Sequence, residues 1–192
     1  MKKLLFLAFI AVSTLCFSQT YDLKTVESVK FFGVDYSLVK VYGANETAEQ
    51  FHYIFERIND LIVDEVEKYN PSPLLKKKVY AISVNEVNEK IQKMDISNII
   101  TSEKNVSLTR EDLQKAVQSL AIEPEEGVGV VFVGELLSKT NDMGYYHIVF
   151  FDMENKQIIE TYKGQGKSGG FGLRNYWAST IYKMIKSSRI KY

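Results

Sequence analysis

The chain has 192 residues, with 24 Lys or Arg against 24 Asp or Glu, so its formal charge is zero, and it holds one cysteine. A lone cysteine excludes a disulfide framework, and no apolar run reaches the ~20 residues that a membrane-crossing helix needs. No nucleic-acid partner, cofactor or metal is expected from this composition.

The first residues, Met1-Lys2-Lys3 followed by apolar Leu4 to Val12 and small residues up to Ser18, have the form of an export signal. Residues 1–18 are therefore read as a signal peptide, cleaved after Ser18 or Gln19, and residues 19–192 as a single domain. Leu15 precedes Cys16 where a lipobox wants a small residue, which favours plain export over lipidation. The expected location is periplasmic or extracellular. Loss of Lys2 and Lys3 leaves 22 basic and 24 acidic residues, unevenly placed. Residues 161–192 carry Lys163, Lys167, Arg174, Lys183, Lys186, Arg189 and Lys191 and no acid. A basic carboxyl-terminal helix can meet an anionic partner, and it also complements its own helix dipole.

Ser28 to Tyr42 is rich in aromatic and β-branched residues and reads as one strand, with a bulge expected at Gly33. Thr47 and Gln50 form a capping box, and Phe51, Ile54, Phe55, Ile58, Leu61, Ile62 and Val66 give a helical stripe that ends at Asn70-Pro71. Ser83 and Glu86 form a second box before Val87, Ile91 and Met94. Residues 95–101 fit a short strand or an irregular crossing, and the pattern of 71–105 stays open. Leu108 and Leu113 flank Thr109 as a staple, followed by a helix through Ala116, Val117 and Leu120. Gly127 to Leu137 and Tyr145 to Asp152 are apolar at nearly every position, as in strands covered on both faces, and Ile158 to Lys163 alternates as an edge does. The loops between them are too short for crossovers, so the three form an antiparallel meander. A last helix runs from Phe171 to Ser187 along Leu173, Trp177, Ile181 and Met184. The fold class is α+β: a two-layer sandwich whose mixed sheet of about four strands is packed by two long amphipathic helices.

Gly164 to Gly172 satisfies both the dinucleotide pattern G-x-G-x-x-G and the nucleophile elbow G-x-S-x-G. The first needs a second parallel strand and a ribose-binding acid downstream, and only Ser187 to Tyr192 follow the helix. The second needs an acid and a histidine for Ser168, and both His52 and His147 precede it. The better reading is a backbone turn from an edge strand into a packed helix, with weak anion or partner binding by Gly166, Lys167, Ser168, Gly169, Gly170 and Arg174. His52 and His147 read as hydrogen-bonded structural residues. Asp35 and Asp152 interrupt apolar strands and need partners. Arg174 is the candidate, on a helix start where Phe171, Leu173, Tyr176 and Trp177 read as buried.

GVGVVFVGELLSK, FFDMENKQIIE and GKSGGFGLRNYWA resemble a family of exported proteins of unknown function from Gram-negative bacteria, over about residues 105–187. The order of elements is similar to small envelope modules, including the amino-terminal domain of TolB and lipoproteins that bind peptidoglycan synthases. The resemblance implies a non-enzymatic envelope module with a protein or polymer partner. The alternatives are a small hydrolase using Ser168 or a carboxylate, and a carrier of a small ligand between helices and sheet.

Overall fold

The computed structural model describes residues 21–192. The signal segment lies outside them. Seven strands form one sheet. Its spine is β5 (Val128–Ser138), in which every residue is buried. Along one edge β5 pairs antiparallel with β6 (Met143–Asp152), and β6 with β7 (Ile158–Lys167), so the meander forms. Along its other edge β5 receives β1 (Ser28–Asp35) and β2 (Lys40–Tyr42), both parallel to it and end to end.

The single strand expected over 28–42 is thus broken. Ser37 N donates to the Asp35 carboxylate at 2.9 Å and Val39 N to Tyr36 O at 3.1 Å, which folds residues 36–39 into a turn between the two pieces. The bulge at Gly33 is present, with φ 75° and a register shift against β5 between Phe31 and Val34. Two further parallel strands come from the stretch left open by sequence: β3 (Lys78–Ile82) beside β1, and the two-residue β4 (Ile100–Thr101) beside β2.

Helix α1 (Ala48–Asp64) begins at the Thr47/Gln50 capping box and buries Phe51, Ile54, Phe55, Ile58, Leu61 and Ile62. It stops at Glu65, earlier than expected, and Val66 opens the separate turn α2 (Val66–Tyr69), followed by α3 (Ser72–Leu75). Ser83 does bond Glu86, at 2.7 Å, but the residue before α4 (Asn85–Lys93) is Val84, so the pair does not cap that helix. Helix α5 (Arg110–Gln118) starts at Thr109, which exchanges hydrogen bonds with Asp112. Helix α6 (Leu173–Ser187) ends the fold.

The two-layer expectation fails because both faces of the sheet are covered. On one face Phe31, Val130, Phe132, Ile148 and Phe150 meet α1 and α6 through Phe51, Phe55, Trp177 and Ile181. On the other, Phe32, Val131, Val133, Val149 and Phe151 meet Leu113, Val117 and Leu120 of α5 and the segment after it. Each large side chain so buried contributes roughly 1.5–3 kcal/mol. Helix α4 sits at the edge left between β3 and β4, giving Ile91 to the first core and Val87 to the second. The class remains α+β, with the parallel pairings on one side of β5 and the antiparallel ones on the other.

Candidate functional site

Strand β7 continues to Lys167, past the Lys163 at which the alternating pattern ends. The glycines at 164 and 166 therefore belong to a strand, and only residues 168–172 form the turn. Gly166 pairs with Gly144 of β6, and α6 rests on the pair. A Cβ on Gly166 would stand 1.9 Å from Thr180 O, and one on Gly144 2.9 Å from Thr180 Oγ1. Helix α6 occupies the space that side chains at Gly164 and Gly166 would fill, through Met184 and Thr180, which is why the glycines of a G-x-G-x-x-G pattern stand here in a strand. Further on, Gly170 and Gly172 take φ of 99° and 80°, a region closed to most side chains, and reverse the chain into α6.

The turn consumes its own amides. Ser168 N donates to Asp142 O at 2.8 Å and Gly169 N to Tyr176 O at 3.1 Å. Lys183 Nζ donates to Ser168 O at 3.3 Å. Gly166 and Ser168 are buried, so of the six residues expected to hold an anion only Lys167, Gly169, Gly170 and Arg174 keep exposed surface. The Ser168 hydroxyl is buried without a hydrogen-bond partner among the described residues. His147 Nε2 lies 2.8 Å from Glu135 Oε1, and His52 Nε2 lies 2.7 Å from Ile91 O. Neither histidine meets Ser168, and the nucleophile-elbow arrangement is not assembled.

The polar pairing predicted for Arg174 is corrected. Asp35 is 1 % exposed and pairs with Lys90 of α4, whose ammonium also donates to Ala116 O at 2.9 Å. Asp152 accepts from Glu154 N at 2.8 Å and Asn155 Nδ2 at 2.7 Å, closing the β6–β7 turn. Arg174 bonds its neighbour Asn175 at 3.1 Å. Lys90 was findable from sequence: it stands three residues after Val87 on the apolar stripe of α4. Asn59 was too, four after Phe55 and three before Ile62. Its side chain receives Val34 N at 2.8 Å and donates to Val34 O at 2.9 Å, satisfying the backbone freed by the bulge.

The seven cations of residues 161–192 divide by task. Lys163 leans toward Glu135 at 3.8 Å, Lys183 holds the turn, and Arg189 donates to Ile185 O and Lys186 O at the end of α6. Lys167 and Lys186 form no ion pair among the described residues, and with Lys183 they line a cleft of about 490 Å³ between β7 and α6. At the other end of α6, Tyr176 donates its hydroxyl to Asp142 and holds that carboxyl below its ordinary range, with Lys139 acting in the same direction. Lys139 stacks over the Tyr176 ring, 3.6 Å from its centre. Phe171, expected in the core, is 96 % exposed. The signal that could have flagged it is a glycine on each side.

No protein-family model and no curated protein matches this chain. A solved structure, the C-terminal domain of LpoB from Salmonella enterica, is similar at 12% identity and a TM-score of 0.31, covering 75% of this chain and 87% of that chain. An overlap that loose does not bear on fold kinship or on the choice of partner. The comparisons add no support to the exported family suggested by the C-terminal motifs or to the likeness to TolB. Among the described residues no helix is long and apolar enough to cross a membrane.

Proposed function

We propose that the protein is an exported, envelope-associated module that binds an anionic partner through its last helix and has no catalytic role of its own. The carrying observation is the cleft between β7 and α6. Lys167, Lys183 and Lys186 line it, and none of its lining residues is acidic. The 32-residue segment that builds this surface, residues 161–192, has no acid to neutralise it, whereas the rest of the chain is acidic. Close-set cations raise the local concentration of an anionic partner and speed its docking, an effect that salt weakens.

The test is capture from envelope extracts by wild-type protein and by the Lys167→Glu, Lys186→Glu double variant. Both side chains are exposed, so the variant keeps its fold. Capture should fall at least about tenfold in the variant and weaken with added salt. Capture indifferent to the reversal would overturn this reading. In the same preparation Ser168 should stay unlabelled by a fluorophosphonate probe, because its hydroxyl is buried and has no base beside it.

A further inference from the structure

The glycine-rich turn has a second consequence at its tip. Phe171 is 96 % exposed, and the next most exposed large apolar side chain among the described residues, Tyr53, is 63 % exposed. Singly exposed apolar side chains are ordinary on a protein surface, so what marks this one is its near-complete exposure at the tip of a turn whose backbone is tied down. The backbone beside the ring is held in place. Gly170 and Gly172 flank it at φ 99° and 80°, Ser168 N and Gly169 N tie the turn's first half down, and Tyr176 N closes onto Gly172 O at 2.9 Å. A partner that takes the ring therefore has little loop to order, which removes a large part of the usual cost of binding.

The surroundings state what the partner must offer. Helix α6 is 15 residues long and starts at Gly172 with no side-chain cap, leaving the positive end of its dipole beside the ring. A depression of about 210 Å³ adjoins the tip, lined by Lys139, Gly170, Gly172, Leu173, Tyr176, Trp177 and a single acid, Glu46. The buried Trp177 indole N–H has no acceptor among the described residues. Lys167 and Arg174 flank the ring at four residues before and three after. Donors and cations around one apolar knob fit an apolar pocket with carboxylates on its rim.

We infer that Phe171 is the anchor by which the module docks on a protein partner, entering an apolar pocket whose rim bears Asp or Glu. This rests on the partner-binding reading above and adds an anchor at the amino-terminal end of α6, beyond the cleft lined by Lys183 and Lys186. A membrane is the less fitting acceptor. One phenyl ring buries less than a myristoyl chain, which itself gives only marginal attachment. Aromatic anchors in a partner's pocket, by contrast, dominate protein interfaces.

The experiment places a photo-crosslinking benzoylphenylalanine at position 171 of the full chain in the producing cells, with the same residue at position 53 as an exposed control. The expected result is one discrete protein adduct from position 171 and not from 53, lost when Arg174→Glu is added. Mass spectrometry should place the linked atoms in an apolar segment next to Asp or Glu. Phe171→Ser should keep the wild-type melting temperature, because the ring covers nothing, and should lower capture at least about tenfold. Adducts shared equally with position 53, lipid adducts only, or Phe171-dependent binding to phosphatidylethanolamine–phosphatidylglycerol vesicles would overturn the inference. If charge reversal at Lys167 and Lys186 abolishes capture and Phe171→Ser does not, the anchor is refuted and the partner-binding reading stands. Indifference to both refutes both.

Discussion

The two sides of β5 solve the same problem with opposite chemistry. On the parallel side the neighbouring strand is bulged at Gly33 and then broken at residues 36–39, and polar side chains fill in for the lost ladder. Asn59 serves both backbone groups of Val34 and bonds Asn88 at 2.9 Å, while Lys90 answers Asp35. On the antiparallel side β6 and β7 are ten residues each and remain paired past single register shifts. One lies at Glu135 of β5, whose buried carboxylate accepts from Leu108 N and meets His147, and one between Phe150 and Phe151. What the layer above β6 and β7 requires is empty space. Gly144 and Gly166 provide it under Thr180 of α6. Where a sheet is interrupted, buried polarity must be matched group for group. Where a helix lies directly on paired strands, side-chain volume decides.

The largest expected effect breaks the parallel side. Asp35→Ala strands the Lys90 ammonium, whose side chain is only 13% exposed, and should cost about 3–5 kcal/mol in chemical denaturation. Asp35→Leu combined with Lys90→Met should recover part of that loss, since no buried charge is left unpaired and only Ser37 N and Ala116 O lose a partner. A single variant as stable as wild type would mean the pair is solvated. On the antiparallel side Gly166→Val should cost about 2–3 kcal/mol, because the added carbons fall on helix backbone that cannot rotate away. Hydrogen exchange should then rise in α6 and β7 and stay unchanged in β1 and β3. The smallest effect separates the site from the fold: Arg174→Ala should stay within about 0.5 kcal/mol of wild type, since it bonds only its neighbour Asn175. A larger loss would restore a structural role for that guanidinium.

Much of the antiparallel side was legible in the sequence. Near-continuous apolar runs with short loops between them point to a meander with both faces covered, which a two-layer sandwich does not provide and a helical layer on each face does. The helix stripes of α1 and α6 were equally plain. The parallel side was not, because β3 and β4 are five and two residues long and take their strand form from neighbours brought from elsewhere in the chain. The same distinction runs through the site. The cations of residues 161–192 are a sequence fact, while their division into turn-holding, helix-capping and unpaired members is not.

What the sequence determined by itself was periodicity and composition: which segments could become helix or strand, that glycines would mark a corner before the last helix, and that the chain's end would be cationic. Tertiary structure alone decided that Asp35 faces Lys90 and not Arg174, that Gly166 lies beneath a helix, and that Phe171 stands in water. Local pattern records which face of an element is apolar. Which atoms meet on that face is fixed only when distant elements pack, because partner distances depend on the register and approach of segments that share no local signal.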